Sequence, residues 1–372
     1  MGKVSLASTA RRARLKPYRA RAWSTCGCKP VASPSIRLGD LSVGFVHLLA
    51  RAVCAQGHDP GPLLAQFGLD AQRLAEPRAR LSIPRYMRLG HAASQLIGDP
   101  ALGLHMGRAS RLPLLGLAGV TAAQAPNVRE AARTVIRFEP LYASNYRGQS
   151  SFEEDARGAW LNFYSISPYN AYNRFVVDSV LSGWLQQLAQ LAGVPLAAEQ
   201  LHIEFAAPCD APAYAALSQQ PVQFGATANR LRLGQAQLAL RNPEHCPGTW
   251  QQLVQLCEVE LAQLTRTRTL SERITALLGP LLGGGREPDL EQVAARLKMP
   301  SWTLRRKLAE EGTRFRTLLG DTRRDLAMAY IRDTDLAFGE IAYLLGFASA
   351  EAFARAFKRW SGVTPGAYRR LG

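Results

Sequence analysis

Acid is absent from the first 37 residues of this 372-residue chain and outnumbered by base in its last 87, and its middle lacks nearly every signature of enzymatic chemistry. Residues 1–37 hold nine Lys and Arg and no Asp or Glu. Residues 286–372 hold sixteen basic and eleven acidic residues, while 38–285 hold twenty and eighteen. The net charge of +16 therefore sits at the ends and favours a polyanionic partner, with a near-neutral globular body between them. No apolar run reaches the roughly 18 residues of a membrane-crossing helix, so no membrane partner is expected. The six cysteines, at 26, 28, 54, 209, 246 and 257, show no paired-ligand spacing. Cys26-Gly27-Cys28 is too tight and no Cys/His cluster follows it, so no metal site is expected. Free thiols and a reducing cytoplasmic location are the expectation. No glycine-rich phosphate loop follows a strand, and neither His-Glu-x-x-His nor Gly-x-Ser-x-Gly occurs. The acidic run Glu153-Glu154-Asp155 reads as a solvated hairpin tip. These absences exclude the familiar enzyme classes and give no reason to expect a cofactor.

What is present divides the chain. Residues 1–37 read as a disordered basic extension, poor in large aliphatics, or as residues added by an upstream start codon. Arg11-Arg12 has neither the apolar stretch nor the cleavage site of an export signal after it. Residues 38–265 read as an α+β effector-binding and dimerisation domain. Apolar residues recur at helical spacing from Phe45 to Val53, at Leu63–Phe67 and through 84–108, and helix returns over Asn127–Leu141. The aromatic stretches Tyr142–Ser151 and Ala159–Ile166 predict a hairpin, and Pro168 is expected to open a helix to about Leu191. Strands are expected at 201–205, 222–224 and 231–233, and an amphipathic helix at 248–265. A linker at 266–269 leads to an all-α domain, 270–372, with two helix-turn-helix units.

In the first unit Asp289 caps a helix over Leu290–Leu297, and Lys298-Met299-Pro300 turns into a second helix from Ser301. Leu304 and Leu308 face inward, which leaves Trp302, Arg305 and Arg306 outward. In the second unit Phe338–Leu345, the turn at Gly346 and the Ser349 cap lead into a basic helix to Trp360. Phe353 and Phe357 pack inward, and Ala350, Glu351 and Arg355 face outward near its start. Arginine matches the guanine O6/N7 edge, whereas Lys358 and Arg359 suit phosphates. The candidate DNA-binding residues are thus Ser301, Trp302, Arg305, Arg306, Ser349, Ala350, Glu351, Arg355, Lys358 and Arg359. The helix expected between the units, Phe315–Arg332, spans about 27 Å, and major-groove faces repeat at about 34 Å.

Residues 270–372 closely resemble the DNA-binding domain of the AraC/XylS family of bacterial transcription regulators. Ile341-Ala342, Gly346-Phe347, Phe353-Ala354-Arg355-Ala356-Phe357-Lys358, Gly362-Val363-Thr364-Pro365 and Tyr368-Arg369 carry the resemblance. Leu38–Leu264 more loosely resembles the arabinose-binding-domain-like sensor of the branch that includes ornithine-utilisation regulators, best at Pro221–Ala226 and Asn229-x-Leu231. The resemblance implies an activator that binds double-stranded promoter DNA and contacts RNA polymerase. Two departures stand out: Lys298 occupies a turn position that often carries glycine, and Glu351 one where a small polar residue is common.

A small-molecule effector is expected between the hairpin and the helix after Pro168, with Tyr142, Tyr146, Trp160, Tyr164, Tyr172 and Arg174 as candidate pocket residues. Helix 248–265 is the expected element for transmitting its effect and for forming a homodimer. The alternative is a domain that only dimerises or binds a protein. A closed apolar cavity within residues 40–265 favours the first reading and a solid core the second.

Overall fold

The computed structural model describes residues 38–76, 79–266, 269–282 and 287–371. The expected extension 1–37, residues 267 and 268 of the expected linker, and the Gly283–Gly285 loop lie outside the described residues. The N-terminal part is α+β and the C-terminal part is helical.

Two sheets organise the N-terminal part. The first is antiparallel, in the order β2-β1-β3, from β1 (Gly39–Ser42), β2 (Arg80–Ser82) and β3 (Ala143–Asn145). Leu41 of β1 faces Leu81 on one side and Ala143 on the other. The second sheet contains β4 (Ser151–Asp155), β5 (Gly158–Phe163), β6 (Gln200–Ile203), β7 (Gln223–Phe224) and β8 (Asn229–Gly234), in the order β4-β5-β8-β6-β7. Within this sheet β6 and β7 pair in parallel, and β4–β5, β5–β8 and β6–β8 pair antiparallel. The acidic run is corrected in part: Glu153 and Glu154 lie within β4, with Glu154 paired to Arg129 at 2.9 Å, while Asp155 reaches the tight tip, where its Oδ1 accepts from the amides of Arg157 and Gly158 at 2.7 and 3.1 Å.

Several sequence expectations are corrected. The aromatic hairpin is β4–β5 alone. Tyr142 closes a short helix, Glu139–Tyr142, and 143–145 belongs to the other sheet. The helix expected from Pro168 starts at Arg174 and runs to Ala192. Asparagine side chains hold the preceding loop in place of helical bonds: Asn173 Nδ2 donates to the carbonyls of Ile166 and Pro168, and its Oδ1 accepts from Asn170 N. The helical stretch 84–108 is two helices, Ile83–Ile97 and Leu102–Ala109, separated where Gly98 turns left-handed at φ 67°. Likewise 127–141 breaks at Phe138, ahead of Pro140.

The helix Arg174–Ala192 is the spine of this part, and small residues let its neighbours approach it closely. A Cβ on Gly107 would meet Ser182 Oγ at 1.8 Å, one on Gly103 the Phe175 carbonyl at 2.4 Å, and one on Gly90 the Phe175 ring at 2.1 Å. A second core fills the helical part, with Leu304, Leu308, Leu326, Ile341, Phe353 and Phe357 at or near zero exposure. Leu38, from the far end of the described chain, is buried in this second core, and Tyr146 packs against it. A Cβ on Gly279 would lie 2.1 Å from the Tyr146 carbonyl. The two parts thus share a closely fitted seam within one compact unit.

Two acids are buried in the N-terminal core. Desolvation pushes Glu139 up to about 7, against opposing bonds from the Ser150 amide and hydroxyl. Burial pushes Asp178 up to about 7 as well, opposed by the Tyr214 hydroxyl. Both acids hold protons more tightly folded than unfolded, so their contribution is intact below the ordinary carboxyl range and is lost as pH rises towards 7. Thermal stability should therefore fall between pH 5 and pH 7.5, and Glu139→Gln with Asp178→Asn should flatten that fall. An equally steep decline in the double variant would assign the pH dependence to other groups.

Candidate nucleic-acid interface

Each helix-turn-helix unit is built from local signals. In the first, Asp289 Oδ1 accepts from Gln292 N at 2.7 Å and Gln292 Oε1 from Asp289 N at 3.4 Å, which satisfies amides that the helix Leu290–Arg296 would leave open. In the second, Glu340 Oε2 accepts from Ala337 N at 2.7 Å at the start of Phe338–Leu344. The two turns repeat the same backbone bonds. Lys298 N donates to Ala295 O and Met299 N to Ala294 O; Gly346 N donates to Tyr343 O and Phe347 N to Ala342 O. Lys298 and Gly346 are therefore equivalent, with φ of 52° and 68°. Lys298 does not open the turn; it adopts the left-handed backbone that glycine takes without steric cost.

The second helices, Ser301–Glu310 and Ala350–Ser361, each bury one face and expose the other. Ser349 Oγ caps the latter by accepting from Ala352 N at 3.2 Å, whereas Ser301 makes no such cap. Trp302 is 66% exposed. Arg305 lies 3.7 Å from Glu291, and Arg306 3.6 Å from Glu310, with all four side chains mostly in solvent. Such exposed pairs are worth little, so both guanidinium groups are available to a polyanion. Arg306 also hangs 6.0 Å from the Trp302 ring centre. On the other helix Glu351, Arg355, Lys358 and Arg359 are exposed and Ala350 is partly so. The Ser349 hydroxyl, the backbone amide and the nearby Arg355 hold the Glu351 carboxyl below its usual range, so it stays ionised beside that arginine.

The helix Phe315–Asp333 joins the units and, at nineteen residues, spans about 28 Å. It carries the residue that the sequence reading missed. Arg323 Nε donates to Leu345 O at 3.0 Å and Nη2 to Gly346 O at 3.3 Å, while Nη1 lies 3.3 Å from Glu287. Its guanidinium also covers the Phe347 ring at 5.2 Å. One side chain thus ties the turn of the second unit to the entry of the first. Its only sequence signal is a cation on the apolar stripe Leu319, Leu326, Tyr330. Arg369 is likewise committed within the fold, to Leu336 O at 2.6 Å and the Phe338 ring.

The six candidate pocket residues do not form one pocket. Tyr142 and Tyr164 share a cavity of 60 Å³ inside the N-terminal core, well below the size of ordinary ligand sites. The Tyr142 hydroxyl donates to Val135 O at 3.0 Å. Trp160 lies on the opposite face of its strand, with Arg230 4.1 Å and Arg232 5.3 Å from its ring and His202 beside it. Arg174 is exposed, over the Phe205 ring at 5.7 Å. Tyr146 lies in the seam between the two parts. Tyr172 borders a larger cavity of 280 Å³ in the same seam. Among the described residues no group of three His, Cys, Asp or Glu is placed to hold a metal ion, and no helix is long and apolar enough to cross a membrane.

Two such units on one connecting helix, behind an α+β domain, define a helix-turn-helix regulator. The family model "Arabinose-binding domain of AraC transcription regulator, N-term" matches residues 57–242, and a helix-turn-helix domain model matches 293–371. The ornithine utilization regulator of Pseudomonas aeruginosa is 30% identical over 82% of this chain and 93% of its own length. The regulator VirS of Mycobacterium tuberculosis is 26% identical over 85% and 92%. Among solved structures, the regulator CdpR from Pseudomonas aeruginosa covers 87% of this chain and 98% of its own, at 22% identity and a TM-score of 0.40. The chain belongs to the AraC family: it is a DNA-binding transcription regulator and not an enzyme.

The left-handed Lys298 generates a test. Lys298→Gly should leave thermal stability unchanged or raise it by up to about 1 kcal/mol, since the relieved backbone strain is offset by the greater chain entropy of glycine. Lys298→Val, β-branched at positive φ, should cost more than about 1 kcal/mol. A clearly less stable glycine variant would mean that the lysine side chain makes a contact outweighing the strain.

Proposed function

We propose that the chain is a cytoplasmic, effector-responsive activator that reads promoter DNA with both second helices and contacts RNA polymerase there. The observation carrying this reading is the exposure of Trp302, Arg305, Arg306, Glu351 and Arg355 on two helices held by one connecting helix. Arg305, Arg306 and Arg355 serve as base readers, with Trp302 against the groove wall and Ala350 allowing close approach. Ionised Glu351 accepts from a cytosine amino group or repels unsuited sites. Lys358 and Arg359, further along their helix, neutralise phosphates, and Ser301 and Ser349 sit at the helix starts nearest the groove.

A homodimer is part of the proposal. The helix Pro247–Arg266 turns Cys257 into the core, yet exposes Leu256, Val259 and Leu264 by 53%, 54% and 43%. Exposed aliphatics repeated along one helix suit a second copy of the same face. The small cavity in the N-terminal core favours the effector-free alternative within that domain; the larger seam cavity favours an effector.

Arg305→Ala or Arg355→Ala in the full chain should cost about 1–3 kcal/mol at a selected site and relax base preference there. Lys358→Ala should weaken all sequences alike and reduce the salt slope by about one. Selection from a randomised DNA pool with each variant, followed by salt titrations, distinguishes these effects. Recovery of an unchanged motif by both arginine variants would refute the assignment of readers.

A further inference from the structure

The 280 Å³ cavity in the seam has walls from both parts of the molecule. Ile83, Pro84, Met87, Ile166 and Tyr172 come from the N-terminal part. Tyr330 and Thr334, at the end of the connecting helix, and Leu336 and Leu344, beside and within the first helix of the second unit, come from the other. The lining is mainly apolar, with two cations, Arg88 and Arg147, among it. Both are only partly exposed, and among the described residues neither has a carboxylate within ion-pair distance. Arg88 donates weakly to the Arg332 carbonyl at 3.4 Å, and Arg147 acts electrostatically on the hydroxyls of Tyr146, Tyr164 and Tyr330. The two acids on the lining do not answer these cations: Asp335 is exposed, and Glu340 is engaged in capping its own helix at Ala337 N.

We propose that this cavity binds a small organic acid, its apolar body against Met87, Leu336 and Leu344 and its carboxylate held by Arg147 and Arg88. The proposal rests on the reading of the chain as an effector-responsive regulator and gives that effector a place and a charge. Two half-buried guanidinium groups with no carboxylate partner among the described residues leave a positive site in a low-dielectric wall, and an anion gains most there. Arginine's planar fork suits a carboxylate better than a spherical anion. An apolar floor adds affinity in proportion to the ligand surface removed from water. The acid would touch the connecting helix and the second unit directly. It changes DNA affinity to the extent that it prefers one arrangement of the seam.

Full-length protein titrated calorimetrically with benzoate, octanoate, octanamide and octylamine tests this. At least one of the two acids should bind saturably, and the amide and amine at least tenfold more weakly than octanoate. Arg147→Gln should weaken acid binding tenfold or more, and Met87→Trp, which fills the cavity, should abolish it, with both variants retaining the wild-type circular dichroism. No saturable binding of either acid, equal binding of octylamine, or unchanged affinity in Arg147→Gln would overturn the proposal. DNA binding by the same unliganded samples separates the two claims. Its persistence when acid binding fails removes this site alone, whereas its absence removes the regulator reading beneath it.

Discussion

The relation between the two helix-turn-helix units depends on where the Arg323 guanidinium sits. Its side chain is 12% exposed and reaches the carbonyls of Leu345 and Gly346, the Glu287 carboxylate and the Phe347 ring. A lysine could supply the charge but not the fork that meets two successive carbonyls at once. Those carbonyls belong to the turn that aims the Ala350–Ser361 helix, and Glu287 stands just before the Asp289 cap of the first unit. The relation between the two units therefore rests on the part-buried bonds of Arg323 to that turn, with an exposed Glu287 beside it, and on a helix of fixed rise. A flexible linker plays no part in it.

The same helix joins that relation to the N-terminal part. Leu319 and Leu326 face the helical core, and Tyr330, a turn further on, meets Tyr146 and the seam cavity. Leu38 and Gly279 complete the seam, with no room for a Cβ at the glycine. A change at the seam acts on the element that spaces the units, without a chain of intermediaries.

The helix-turn-helix units were legible because their determinants are local. Asp289, Gly346 and Ser349 act within three or four residues, and the inward stripe Leu304, Leu308, Phe353, Phe357 follows the helical period. The first sheet was not legible: its strands are three or four residues long and pair with segments far along the chain. Pro168 misled because asparagines at 170 and 173 hold a loop that a proline-initiated helix would otherwise occupy. The aromatic cluster misled for a geometric reason. Alternation along β5 turns Ala159, Leu161 and Phe163 inward and Trp160 outward, so aromatics close in sequence reach different surroundings. Arg323 works through tertiary contacts with backbone carbonyls, which no motif encodes.

One fixed separation along the duplex is expected for two second helices carried by one connecting helix. It is tested by measuring affinity for a selected site in which five or ten base pairs are inserted between the two contacted segments. A rigid connection predicts that both insertions reduce binding to the level of a single unit, because ten pairs restore the facing but add about 34 Å that a helix of about 28 Å cannot follow. Recovery of affinity with the ten-pair insertion, or indifference to both, would contradict the account.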